Sequence, residues 1–168
     1  MTSVGSGLRN ASWGVLIGLA ASCTTTRLPP GERMSLNPQE AWRALDCSKK
    51  TLPFLKVEQN LVEPLELVAG GELRHTLVYT FCPAPTRETI AGTFHRRVKQ
   101  ADTVILHDIT FPFEVRPGRW TVTAIIKVPR EASPGSYTIE TGLEAEKIGF
   151  DNEQVFRVKR ERATLDPG

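Results

Sequence analysis

The sequence predicts an all-β protein: an antiparallel β-sandwich of seven or eight short strands, preceded by an export signal, a tether and a short helix. Three observations carry this expectation. From Leu52 onward apolar residues recur at every second position, the period of a half-buried strand rather than of a helix. Gly- and Pro-rich turn signals interrupt that pattern at Gly70-Gly71, Pro83-Ala84-Pro85, Pro117-Gly118 and Pro134-Gly135. No helical stretch intervenes between the strands, which selects two packed sheets over a parallel α/β arrangement. The boundaries that follow are a signal peptide at 1–22, a flexible tether at 23–36, a short helix at 37–47, the β-sandwich at 48–162 and a disordered tail at 163–168.

The amino-terminal segment has the parts of a secretory signal. Arg9 supplies the positive charge, and Trp13 to Ala21 form an apolar run of about ten residues closed by small side chains. That run is shorter than the roughly 20 residues a spanning helix needs. Leu19-Ala20-Ala21-Ser22-Cys23 resembles the lipobox of bacterial lipoproteins, in which small residues precede a cysteine that receives a diacylglyceryl group and becomes the new amino terminus. The resemblance implies lipidation of Cys23 and a membrane anchor. The sequence departs from the family pattern in one place, with Ala20 three positions before the cysteine and Leu19 one further out. Ala20-Ala21-Ser22 also fits the small-x-small pattern of ordinary signal-peptidase cleavage, the alternative route. Each buried CH₂ of an acyl chain adds about 0.8 kcal/mol, and stable anchoring takes more than one chain, which the lipoprotein modification supplies.

There are three cysteines. With Cys23 lipidated, Cys47 and Cys82 remain as an even pair that an oxidising compartment would join. The alternative is two buried free thiols. Neither has the CxxC spacing of a zinc site.

Thr24 to Leu36 is polar, contains Pro29-Pro30-Gly31 and reads as the tether. Asn37 then suits a helix N-cap, Pro38 the first helical position, and Glu40 the return arm of a capping box. Ala41, Trp42, Ala44 and Leu45 share one face, so this two-turn helix is expected to dock through Trp42. Strands are expected at Phe54 to Val62, Leu65 to Val68, Leu73 to Cys82, Thr89 to Lys99, Val104 to Val115, Trp120 to Val128, Tyr137 to Ala145 and through Val155, Phe156 and Val158.

Lys and Arg total 21 against 19 Asp and Glu, a balance that argues against nucleic acid, which demands a concentrated basic surface. His75 and His107 share the parity of their strands' apolar residues, whereas His95 falls with Thr93, Arg97 and Lys99 on the polar parity. With no HExxH, HxH or HxxxH pair, no metal or cofactor is expected. No GxSxG elbow or phosphate-binding glycine loop is present, so the protein is expected not to be an enzyme. Alternation separates Arg96 from Arg97 and Lys99, and this charged run reads as a solvated edge strand.

The segment from Trp120 through Val128-Pro129 to Pro134-Gly135-Ser136-Tyr137 resembles the late hairpin of bacterial immunoglobulin-like and fibronectin type III-like domains. It implies an immunoglobulin-like sandwich and nothing specific about activity. Cys47 and Cys82 both precede Trp120, so a bridge between them would pin the helix end to a strand rather than join two sheets. The functional expectation is a lipoprotein displayed in the cell envelope, with Thr24 after the cysteine pointing to the outer membrane. It would act as a non-catalytic interaction module with a protein partner. The alternatives are a carbohydrate-binding module and, more remotely, an enzyme built on the histidines.

Overall fold

The computed structural model describes residues 31–160 apart from 86, 87 and 102, with the backbone alone at 105–109. The expected signal peptide (1–22), the lipidation site Cys23 and the tail (163–168) lie outside the described residues. The elements are β1 (Glu32–Leu36), α1 (Pro38–Ala44), a 3₁₀ turn at Cys47–Lys49, β2 (Phe54–Glu63), β3 (Glu66–Val68), β4 (Glu72–Cys82), β5 (Ile90–Gln100), β6 (Thr103–Val115), β7 (Gly118–Lys127), β8 (Gly135–Ala145) and β9 (Ile148–Lys159). They form an all-β body of two sheets, ordered β1-β7-β4-β2 and β3-β9-β8-β5-β6.

Several expectations are corrected, the strand count among them: nine strands stand among the described residues where seven or eight were expected, and β1 is the addition. The last residues of the expected tether are strand β1, so the tether cannot extend to residue 36. Local alternation is weak there, and long-range bonds make the strand instead: the Thr123 N–H donates to Gly31 O at 2.7 Å, Ser35 Oγ to Arg119 O at 3.2 Å, and Arg116 pairs with Glu32. The pairing is not wholly antiparallel, because β3 runs parallel to β9. After β2 the chain crosses between sheets, and Leu65 O accepts the Arg157 N–H at 2.8 Å, which sets that direction. Finally, β5 is not an edge strand; β6 and β8 flank it.

Period-two alternation builds the interior in tiers. An upper cluster holds Leu77, Tyr79, Phe81, Phe94, Phe113, Trp120, Val122 and Leu143; a lower one holds Val62, Leu73, Val98, Ile126, Tyr137, Ile139, Phe156 and Val158. On β4, His75 stands between Leu73 and Leu77. On β5, Arg96 stands between Phe94 and Val98, and on β8, Thr141 stands between Ile139 and Leu143. These three are buried, so a polar tier divides the apolar interior in two.

Above the polar tier the first sheet is covered on its outer side as well. Tyr79 and Phe81 point inward, which turns Val78, Thr80 and Cys82 outward, yet all three are buried. Cys82 is joined to Cys47 there, so the bridge pins the end of the helical segment to β4. The capping box forms as expected: Glu40 N–H donates to Asn37 Oδ1 and Asn37 N–H to Glu40 Oε2, both at 2.9 Å. The docking residue differs from expectation. Ala41 is the buried one, because a small side chain lets the helix approach the sheet, while Trp42 is half-buried and Ala44 exposed.

Candidate functional site

The three histidines lie on three different strands, β4, β5 and β6. His75 is inside, in the polar tier. His107 lies on β6 with its backbone opposite Arg97. His95 sits on the outer face of the second sheet, and around it the structure gathers a group of charged side chains.

Alternation brings that group together. His95, Arg97 and Lys99 line the outer face of β5; Glu140, Gly142 and Glu144 line β8; Asp151 and Glu153 line β9. His95 Nε2 lies 3.5 Å from Glu140 Oε1 and 3.4 Å from Asp151 Oδ1. Arg97 Nη1 donates to Glu140 Oε1 at 3.2 Å, and Lys99 pairs with the other oxygen. The imidazole is buried although it stands on an outer face, because Gly142 beneath it has no side chain. A hollow of about 480 Å³ opens here, lined by His95, Arg97, Glu140, Glu144, Asp151 and Glu153 among others.

This arrangement presents hydrogen-bond donors and acceptors side by side, and the described residues that line the hollow include no serine, threonine or cysteine. Glu140 already accepts two cations, which weakens it as a metal ligand. Among the described residues no three His, Cys, Asp or Glu side chains have metal-binding geometry. The sequence placed His95, Arg97 and Lys99 on one face, as found, but did not connect them to Glu140 or Asp151. Gly142 was the available signal: a glycine in the middle of a β-rich segment marks a close approach.

The polar tier has its own bonding. Arg96 Nε donates to His75 Nδ1 at 3.0 Å, which leaves the proton of the neutral ring on Nε2, aimed at Asn60 Oδ1 at 2.5 Å. Asn60 Nδ2 donates in turn to Asn152 Oδ1 at 2.8 Å, crossing from β2 of one sheet to β9 of the other. Burial and the neighbouring guanidinium hold the His75 pKa down to about 3. Arg96 also stacks over Phe94, its carbon centre 5.2 Å from the ring. It belongs to the interior rather than to the solvated edge the sequence suggested.

No family model matches this chain, and no curated protein matches it. Among solved structures it is similar to the sporulation control protein Spo0M from Bacillus subtilis, with a TM-score of 0.45, 16% identity, and coverage of 64% of this chain and 50% of that one. It is also similar to a β-glucosidase from Erythrobacter marinus (TM-score 0.44, 13% identity, 64% and 16% coverage). A third similarity is to the alkylpurine DNA glycosylase AlkC of Pseudomonas fluorescens (TM-score 0.42, 12% identity, 63% and 30% coverage). The matched region spans half of the first of these proteins and less of the other two.

Proposed function

We propose that this chain is a lipid-anchored, non-catalytic module of a bacterial cell envelope, an immunoglobulin-like sandwich held to the outer membrane by Cys23 and binding a protein partner. The Cys47–Cys82 disulfide carries this reading. Structural disulfides persist in oxidising compartments, so the bridge supports export, and it leaves Cys23, in a lipobox-like setting, as the unpaired cysteine. Strand β1 supports a short leash. Only residues 24–30 separate Cys23 from Gly31, about 28 Å at full extension. Tyr137 supports the immunoglobulin-like assignment, since its hydroxyl donates to Ser133 O at 2.6 Å, closing a corner at the entry to β8 as tyrosines do in such sandwiches. The polar hollow around His95 is the face offered to the partner.

Membrane fractionation with mass spectrometry of the amino-terminal peptide tests the anchor. Diacylglyceryl-modified Cys23 in the membrane fraction, and release of the protein by Cys23→Ala, is the expected result. An unmodified Cys23 in a soluble fraction overturns it.

A second reading, glycan binding, is favoured by one observation. Trp42 is half-buried and lines a cleft of about 290 Å³ with Pro38, Gln39 and Arg43, whereas Trp120 and Tyr137 are committed to the core. Loss of glycan capture on Trp42→Ala would support it, and failure to retain any glycan or peptidoglycan rejects it.

A further inference from the structure

The polar tier joins two halves that are held together differently. The upper half carries the disulfide, α1 and the Phe94, Phe111 and Phe113 ring cluster. The lower half has no covalent link among the described residues, and Leu65, Ile125 and Val155 stand exposed around it. Between them the seam from β2 to β9 is closed by the chain Arg96 to His75 to Asn60 to Asn152, with Gln154 Nε2 adding a donor to Asn152 Oδ1 at 3.3 Å.

The Arg96-to-His75 link in that chain forms only while His75 is neutral. A second proton would place an N–H on Nδ1 facing the Arg96 Nε–H, donor against donor and cation against cation. Among the described side chains, Asn60 from β2 and Thr141 Oγ1 from β8, at 3.5 Å, face the ring, its register partner on β7 is Ala124, and the charged group hydrogen-bonded to it is Arg96 from β5. His95, Glu140 and Asp151 lie on the opposite face of the second sheet and cannot compensate.

We propose that the polar tier is an acid-released joint: when His75 takes up a proton, the β2–β9 seam and the lower core open while the disulfide-bonded upper half stays folded. Opening frees the ring to titrate at its ordinary value of 6.5 instead of about 3. The open state therefore binds one more proton between those limits, and opening becomes easier as pH falls through that window. From pH 7 to pH 5 the opening equilibrium rises about 25-fold. An apolar surface would thus be presented in mild acid and withdrawn at neutrality. The proposal does not depend on the anchor at Cys23.

Hydrogen exchange of the full-length chain, read as protection factors at pH 7 and pH 5, tests it. Amides of Val62, Leu73, Val98, Ile126 and Ile139 should lose about 25-fold in protection, while those of Leu77, Tyr79, Phe94 and Val122 keep theirs. His75→Gln, which cannot titrate, should abolish the lower-half loss. Should that variant fail to fold, Asn60→Ala serves instead, and should lower protection at pH 7 in the lower half alone. Core amides that all move together with pH, a pH response retained in His75→Gln, or equal losses in both halves of Asn60→Ala each overturn the proposal.

Discussion

Gly142 lies directly against the imidazole of His95: a Cβ built on it would stand 2.2 Å from His95 Cε1 and 2.2 Å from Asp151 Oδ1. The glycine is therefore the reason a histidine can lie flat on the outer face of a central strand, within reach of two carboxylates. Its role is one of close approach, since an ordinary strand conformation serves there.

Gly142→Ala should push His95 and Asp151 apart and cost about 1–3 kcal/mol, the range for overpacking. Both neighbours are side chains, so the fold should survive. Denaturant titration reads the loss, and an unchanged midpoint would show that His95 has an alternative seat. Gly31→Ala should cost as much or more, because φ there is +90° and the Cβ would meet the backbone oxygen of Thr123 at 2.2 Å.

Replacing Cys47 and Cys82 together by Ala should destabilise the fold by about 3–4.5 kcal/mol, the chain-entropy value for a bridge spanning a sequence separation of 35. Reductant added to the wild type should give the same shift in urea midpoint. A loss much smaller than this would mean that α1 packs well enough without its covalent link.

Leu77→Ala in the upper cluster and Ile126→Ala in the lower should each cost about 2–5 kcal/mol. Leu77 and Leu73, the register partner of Ile126, are four residues apart on β4, about 13 Å along the strand, with His75 between them. The two losses should therefore add within about 0.5 kcal/mol. A coupling above 1 kcal/mol would show that the polar tier does not separate the two cores.

Thr80→Val should cost about 0.5–1.5 kcal/mol by removing a donor from Glu58. Burial acts to raise the pKa of that carboxyl, but the Thr80 hydroxyl at 2.5 Å and Arg119 Nε at 2.9 Å outweigh it and hold the value below the ordinary 4.5. The folded state thus favours the carboxylate, and this stability is present above 4.5 and is lost as pH falls through the lowered value. The difference between variant and wild type should accordingly shrink in acid. A difference independent of pH would place the effect in packing instead.

Much of the architecture was legible in the chain. Alternation in Leu73 to Cys82 and Tyr137 to Ala145 identifies strands because each strand buries one face, and the Asn37-Pro38-x-Glu40 capping box is written in adjacent residues. Strand β1 was not legible, since its bonds run to Thr123 and Arg119, far along the chain. Nor was the inward turn of Arg96, whose parity was correctly read while its strand was wrongly placed at an edge; on a strand flanked by β6 and β8, the face that Arg96 takes is the one packed against the other sheet. The candidate site was legible on β5 alone.

What the sequence determined by itself was local: the period-two strands and their turns, the capping box, and the all-β class. Only the tertiary structure decided which strands are neighbours, that β5 is interior, that His95 meets Glu140 and Asp151 over Gly142, and that His75, Arg96, Asn60 and Asn152 close one seam. Periodicity reports which face a side chain takes on its own strand. Contacts between strands depend on sheet order and register, which are set by the whole chain finding one arrangement that buries its apolar faces together.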